Sequence, residues 1–171
     1  MTDEIDIPTI LQRTTEILRP QLARNPLMIG IHTGGTWIAE YLHEMLGLKE
    51  PLGALDISFY RDDFTRIGFN PQVRTSSLPV NIDDRHIILV DDVLHTGRTI
   101  RAAMNEIFDF GRPASIRLIV LIERDGRELP IQPDVAGASM KLERNQHIKL
   151  TRTGEDGGPE TLRLSIQEVG A

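Results

Sequence analysis

The sequence contains no cysteine, no long apolar run and few aromatic residues. Because its 171 residues include no Cys, disulfide bonds and thiolate metal ligands are excluded. No apolar stretch approaches the roughly 20 residues that a membrane-spanning helix needs. The amino terminus is acidic and lacks the basic and then apolar order of a signal peptide. We therefore expect a cytoplasmic protein.

The charge balance is acidic, with a net charge of -6. This balance argues against a protein that coats nucleic acid non-specifically through a positive surface. Residues 112–152 nevertheless carry eight Lys or Arg against five Asp or Glu, although the count does not place them on one face. With 40% apolar and 26% charged residues, the composition predicts one globular domain over residues 1–171.

Three short apolar runs predict buried parallel strands at residues 27–31, 87–90 and 118–122. Helical periodicity near them predicts three helices: one over residues 7–18 that ends at Pro20, one over residues 37–46 closed by Gly47, and one over residues 100–108 closed by Gly111. Alternating strands and helices predict an α/β fold with a central parallel sheet flanked by helices.

The remaining segments add a strand, a loop and a β-rich end. Residues 52–60 alternate as a strand does, and residues 61–84 are polar without a period. We interpret about 62–80 as a flexible loop over an active site; the alternative is a surface hairpin. Extended pieces at 147–151 and 161–166 flank a turn at 155–159, which predicts a small β-rich hood over about 124–168.

The segment with the clearest chemistry reads Ile-Ile-Leu-Val-Asp-Asp-Val-Leu-His-Thr-Gly-Arg-Thr, residues 87–99. A buried strand leads into Asp91 and Asp92, and a loop then opens a helix. Ligands of open α/β sheets bind beyond the carboxyl ends of the strands. The loop Thr96, Gly97, Arg98 and Thr99 offers backbone N–H groups and hydroxyls at a helix amino terminus, which suits a phosphate.

Two carboxylates suit a group next to the phosphate, because they would repel the phosphate itself. Asp91 and Asp92 can accept hydrogen bonds from ribose hydroxyls, or balance a Mg²⁺ that those hydroxyls ligate. Acids beside a phosphate loop therefore describe a ribose 5-phosphate site. The alternatives are a metal-dependent phosphotransfer site and a plain turn before a capped helix. A Walker A loop is absent, and residues 30–35 lack the spacing of a dinucleotide-binding fingerprint.

These thirteen residues resemble the phosphoribosyl pyrophosphate signature of type I phosphoribosyltransferases. Residues 55–63, 110–113 and 127–131 add Leu-Asp-Ile-Ser-Phe-Tyr-Arg-Asp-Asp, Phe-Gly-Arg-Pro and Arg-Glu-Leu-Pro-Ile. In this order they are similar to one subfamily, the bifunctional pyrimidine operon regulators with uracil phosphoribosyltransferase activity. The resemblance covers about residues 10–170.

The resemblance implies that uracil and phosphoribosyl pyrophosphate give UMP and pyrophosphate, with Mg²⁺ carried by the substrate and no direct metal ligand in the protein. It also implies a homo-oligomer that senses UMP or UTP and binds leader RNA of pyrimidine genes. Asp91 and Asp92 would hold the ribose hydroxyls, and Thr96 to Thr99 the 5′-phosphate. Pyrophosphate would bind Thr33, Gly34 and Gly35, and the base would bind Arg124, Asp125, Gly126 and Arg127.

The sequence departs from the family pattern at two places. Gly34 stands where Arg is usual, and Asp125-Gly126 stands where Gly-His is usual. Losing a cation at the pyrophosphate loop costs about 1.5–3 kcal/mol. The alternative function is therefore a non-catalytic nucleotide sensor, and we expect Arg at position 34 to raise activity. A lesser alternative is a purine phosphoribosyltransferase.

Other side chains have weaker signals. Arg66 and Arg74 are candidate pyrophosphate ligands. We expect His95 to fill its loop position rather than to catalyse, Trp37 to belong to the core, and Tyr60 to pack in the core rather than under the base. The five histidines show no metal-ligand spacing. Seven basic residues are candidates for an RNA-binding surface: Arg13, Arg19, Arg24, Arg112, Arg117, Arg144 and Lys149.

Overall fold

The computed structural model describes residues 5–57, 76–155 and 157–170. These residues form three α-helices, seven β-strands and two short 3₁₀ helices. The helices are α1 (Ile7–Leu18), α2 (Gly34–Leu46) and α3 (Arg98–Phe110), with 3₁₀ turns at Arg19–Arg24 and Pro159–Thr161. The strands are β1 (Leu27–Ile31), β2 (Gly53–Leu55), β3 (His86–Leu94), β4 (Ser115–Arg124), β5 (Val135–Met140), β6 (Gln146–Arg152) and β7 (Leu162–Glu168).

Five strands form one parallel sheet in the order β2-β1-β3-β4-β5. Strands β6 and β7 form a separate antiparallel hairpin. All carboxyl ends of the five parallel strands therefore lie along the same edge of the sheet. This architecture confirms the predicted α/β fold. No helix in the described part of the chain is long and apolar enough to cross a membrane.

Alternate residues of the central strands fill two cores, one on each face of the sheet. Met28 and Ile88 pack with α1 and α2, while Ile29 and Leu89 pack with residues of α3. Each of these four side chains is at most 2% exposed. Apolar side chains on both faces explain why β1, β3 and β4 read as unbroken apolar runs. The hairpin joins the first core through Leu150 and Leu162.

The observed elements differ from the predicted ones in three places. Strand β3 continues through both acids to Leu94, because it stays paired with β4 as far as Glu123. Strand β5 was not predicted, and it pairs with β4 in the main sheet. The proposed hood over 124–168 is therefore divided between the main sheet and the β6–β7 hairpin. Most of the predicted loop, along with Tyr60, Arg66 and Arg74, lies outside the described residues.

The predicted ends of all three helices are confirmed. Helix α1 stops before Arg19, and Pro20 lies in the 3₁₀ turn that follows. Helix α2 ends at Gly47, which has a left-handed backbone with φ of 61°. Helix α3 ends at Gly111 in an extended conformation. In the described, carboxyl-terminal part of the predicted loop, Ser77 forms a β-bridge with Ala54 of β2.

Candidate functional site

The predicted site residues come together along the carboxyl edge of the sheet. Thr33 follows β1, the acids Asp91 and Asp92 lie near the end of β3, and Arg124 ends β4. Because β1, β3 and β4 are neighbours in the sheet, these three groups lie side by side. The segments that the sequence predicted to bind the substrate therefore lie at the edge where ligands of parallel sheets bind.

Two glycines of the β1–α2 loop lie directly over the two acids of β3. A Cβ atom added to Gly34 would lie 2.7 Å from Asp92 Cγ, and one added to Gly35 would lie 3.0 Å from Asp91 Cα. Side chains at these positions would collide with the strand. The loop therefore approaches β3 closely because both residues lack a side chain. The His32–Thr33 peptide before them is cis.

The two acids have different surroundings. Asp91 is 2% exposed, and its Oδ1 accepts a hydrogen bond of 2.8 Å from the backbone N–H of Asp92. Asp92 is partly exposed, and its Oδ1 accepts a bond of 2.8 Å from the N–H of Val93. The sequence assigned both acids to the ribose hydroxyls. The structure makes Asp92 the more accessible carboxylate of the pair.

The predicted phosphate loop begins α3 with Gly97 in a left-handed conformation, at φ of 95°. The Thr96 hydroxyl accepts a hydrogen bond of 3.2 Å from the N–H of Arg98. The Arg98 guanidinium donates to Glu128 Oε2 at 2.8 Å, so this ion pair joins the loop to the segment after β4. The amino terminus of a 13-residue helix, where backbone N–H groups lack partners in a preceding turn, suits an anion.

The segment 125–131, which follows β4, packs on the phosphate loop. A Cβ atom on Gly97 would lie 3.3 Å from Leu129 Cβ, and one on Gly126 would lie 2.8 Å from His95 Nε2. Sequence reasoning placed the base here but missed Glu128 and Leu129 as partners of the phosphate loop. Glu128 and Leu129 both belong to the Arg-Glu-Leu-Pro-Ile motif. The motif therefore indicated that this segment matters, but not that it contacts the phosphate loop.

A pocket of about 540 Å³ lies between this segment and the end of β5. It is lined by all four predicted base-binding residues, Arg124 to Arg127, together with Glu123 of β4, four further residues of the loop after β4 and Ser139, Met140 and Lys141 from β5 and its end. The pocket is larger than a pyrimidine ring needs. Met140 and Lys141 were missed because β5 itself was not predicted.

Arg124 ties the main sheet to the hairpin. Its side chain is 6% exposed, and its Nη1 donates a hydrogen bond of 2.8 Å to the Gln146 carbonyl oxygen. Its buried Nε has no hydrogen-bond partner among the described residues. Asp125, the residue that departs from the family pattern, accepts a bond of 3.0 Å from the Leu142 N–H. That acid therefore stabilises the turn after β5.

His95 directly precedes the phosphate loop, and its ring lies close to Gly126, which lines this pocket. Burial lowers the pKa of His95 below its usual 6.5, and the positive charges of Arg124 and His147 lower it further. Asp125 and Glu128 act on the pKa in the opposite direction but more weakly. Neutral His95 therefore avoids adding positive charge beside Arg124.

Trp37 is partly buried rather than fully enclosed in the core. It packs against the first core, and the Arg152 guanidinium carbon lies 5.1 Å from its ring centroid. Arg152 also forms an ion pair of 3.1 Å with Glu40. Helix α2, which begins at the glycine loop, is thereby fastened to the hairpin.

Comparisons with known proteins agree with this geometry. The family model of the phosphoribosyl transferase domain matches residues 2–148. The Bifunctional protein PyrR of Nitrosococcus oceani is 58% identical over 151 residues, which cover 87% of this chain and 82% of that protein. The Bifunctional protein PyrR of Pseudomonas aeruginosa is 54% identical over 159 residues, which cover 91% of this chain and 90% of that protein.

Solved structures show the same fold. A hypoxanthine phosphoribosyltransferase from Staphylococcus aureus matches with a TM-score of 0.66 at 17% identity, covering 86% of this chain and 81% of that one. A purine phosphoribosyltransferase from Pyrococcus horikoshii matches with a TM-score of 0.60 at 23% identity, covering 80% and 85%. At such identities the likeness concerns the fold alone. The signature at the edge of the sheet, the family match and the curated relatives together show that this chain belongs to the phosphoribosyltransferase family.

Proposed function

We propose that this protein transfers the phosphoribosyl group of phosphoribosyl pyrophosphate to uracil, and that it regulates pyrimidine biosynthesis genes in response to UMP or UTP. The observation that carries the proposal is the edge of the sheet, where a glycine loop, two acids and a helix amino terminus lie side by side. Identity of 58% to a bifunctional PyrR protein over most of the chain supports both parts.

The site accommodates the substrate in the order of its chemical groups. The 5′-phosphate binds the loop of Thr96, Gly97, Arg98 and Thr99 at the amino terminus of α3, and the ribose hydroxyls bind Asp92 with Asp91 behind it. Pyrophosphate lies at Thr33, Gly34 and Gly35, over the same acids. The base enters the 540 Å³ pocket lined by Arg124, Asp125, Gly126 and Arg127.

The reaction replaces one bond at the ribose C1 with another. The bond to the pyrophosphate oxygen breaks, the bond to uracil N1 forms, and the N1 proton leaves to solvent. The ribose becomes electron-poor as pyrophosphate departs, and the carboxylate of Asp92 stabilises that positive charge. The loops hold the reacting groups in line, so positioning supplies the rest of the acceleration.

The donor set fits a magnesium ion that arrives with phosphoribosyl pyrophosphate. No group of three His, Cys, Asp or Glu side chains that could hold a metal ion occurs within the described ranges. Asp92 offers a hard oxygen next to the place proposed for ribose and pyrophosphate. When bound, Mg²⁺ neutralises charge on the leaving pyrophosphate.

For the regulatory part, we propose that leader RNA binds exposed arginines and lysines of a homo-oligomer. Three of the seven candidates are engaged within the chain: Arg13 with the Gly137 carbonyl oxygen, Arg19 with Glu16 and Arg117 with Asp134. The four others form no ion pair within the described part of the chain: Arg24, Arg112, Arg144 and Lys149. These four are the stronger candidates for phosphate contacts.

A non-catalytic nucleotide sensor is the second candidate function. It rests on Gly34, which provides no cation for pyrophosphate. The other motive for it, Asp125, is weakened because that carboxylate holds the Leu142 N–H. A sensor would bind UMP through the phosphate loop and turn over no substrate.

A competition between bases tests the transferase. The protein is incubated with phosphoribosyl pyrophosphate, Mg²⁺ and equal uracil and hypoxanthine, and the nucleotide products are separated and quantified. The proposal predicts UMP as the main product. IMP as the main product would establish the purine alternative, and the absence of both nucleotides together with measurable UMP binding would establish the sensor.

A further inference from the structure

Each of the three guanidinium nitrogens of Arg127 donates a hydrogen bond to another group of the protein. Its Nε donates to the His95 carbonyl oxygen at 2.8 Å, its Nη1 to the Ile131 carbonyl oxygen at 2.7 Å and its Nη2 to Glu123 Oε1 at 3.0 Å. These contacts join the phosphate loop, the segment after β4 and β4 itself. Arg127 was predicted to bind the base, but its three nitrogens each serve a protein acceptor.

The next two residues hold the adjacent peptide of the same loop. The backbone N–H groups of Glu128 and Leu129 both donate to the Thr96 carbonyl oxygen, each at 3.0 Å. Two successive carbonyl groups, that of His95 just before the phosphate loop and that of Thr96 within it, are therefore fixed by residues 127–129.

Fixing these carbonyl groups also fixes the N–H groups that face the opposite way. In a planar trans peptide the carbonyl oxygen and the amide hydrogen point in opposite directions, and neither of these peptides is cis. The bond to the His95 oxygen orients the Thr96 N–H, and the bonds to the Thr96 oxygen orient the Gly97 N–H. Both donors are thereby directed away from residues 127–129 before any ligand arrives.

We propose that Arg127 is a positioning residue for the 5′-phosphate, acting through the His95 carbonyl group and the segment 128–129. This inference rests on the proposed function in one respect, namely that residues 96–99 bind the 5′-phosphate. It removes Arg127 from the residues that touch the base, and it leaves the base pocket to its neighbours.

Two ligands separate positioning of the phosphate from contact with the base. Calorimetry measures the affinities for UMP and for ribose 5-phosphate, which has no base. The proteins compared are the unmutated parent and the variants Arg127→Met and Arg127→Lys. Arg101→Met is the matched control, since Arg101 is an exposed arginine on the first turns of α3. Thermal unfolding verifies that each variant is folded, and Arg127→Lys keeps the test valid if Arg127→Met does not fold.

Both ligands should lose affinity by the same factor in Arg127→Met, about tenfold, which is the scale of one lost charge-assisted hydrogen bond. Arg127→Lys should lose less, and Arg101→Met should match the parent. The KM for phosphoribosyl pyrophosphate should rise while the KM for uracil stays constant. The inference is overturned if Arg127→Met loses affinity for UMP but not for ribose 5-phosphate, or if it loses affinity for neither ligand. A parent protein that binds both ligands but forms no UMP refutes the transferase proposal and leaves this inference standing.

Discussion

Gly34 lies so close to Asp92 that a methyl group at its Cα would sit 2.7 Å from the Asp92 Cγ and 2.9 Å from the Asp92 Cβ. Neither distance is compatible with an ordinary carbon–carbon contact. The absence of a side chain at Gly34 therefore allows the loop after β1 to lie directly over this acid. From the sequence alone, Gly34 had appeared only as the loss of a cation.

This contact predicts the effect of Gly34→Ala. The added methyl group forces Asp92 or the loop to move, and overpacking of this kind costs about 1–3 kcal/mol. We expect the KM for phosphoribosyl pyrophosphate to rise by about tenfold. Steady-state kinetics would measure this, with Gly170→Ala as the control because nothing lies within 4 Å of that position. An unchanged KM in Gly34→Ala would show that Asp92 yields freely.

Gly34→Arg, like Gly34→Ala, should impair the reaction. The expectation from the sequence was a gain of activity, but the side chain would begin with the same carbon atom that collides with Asp92. We therefore correct that expectation: Gly34→Arg should lower the rate of UMP formation below that of the parent. A rate above the parent's would mean that the added cation outweighs the displaced acid.

His95 provides a prediction about pH. Because its pKa is lowered in the folded protein, the unfolded chain binds more protons just below pH 6.5. The contribution of His95 to stability is therefore complete above pH 6.5 and declines as the pH falls from there through the folded pKa. Urea unfolding between pH 7.5 and pH 5 should show a smaller decline for His95→Gln than for the parent. Equal declines in both proteins would contradict the lowered pKa.

The contact between Arg152 and Trp37 predicts a loss of stability on mutation. Arg152→Met keeps the apolar stem but loses the charge over the ring and the ion pair with Glu40. We expect the free energy of unfolding to fall by about 1 kcal/mol. Lys149→Met on the same strand is exposed and should change it little. A similar loss in both variants would indicate a general effect of charge on the hairpin.

The sequence predicted the parts of the fold that carry strong apolar or turn signals. Residues 27–31 form β1 as predicted, and the hairpin appears where the turn at 155–159 indicated it. Strand β5 was not predicted because its sequence, Val-Ala-Gly-Ala-Ser-Met, has little apolar volume. It lies at the edge of the sheet, where pairing with β4 determines its conformation.

The candidate site was predicted in its composition but not in its contacts. The signature identified Asp91, Asp92 and the phosphate loop, because strand, acids and loop are consecutive in the chain. The pairs Gly34–Asp92 and Arg127–His95 join residues 58 and 32 positions apart, and no local pattern encodes such contacts. Long-range packing, rather than residue type, therefore determines what Gly34 and Arg127 contact.

The initial rate of UMP formation by Asp92→Asn tests the proposed transferase activity and the role of Asp92 in it. Uracil, phosphoribosyl pyrophosphate and Mg²⁺ are supplied to the parent and to the variant, and UMP is quantified against time. The account predicts turnover by the parent and a loss of about a hundredfold or more in kcat for the variant, because a charge facing the developing positive ribose is removed. UMP formation at equal rates in both proteins, or in neither, would contradict it.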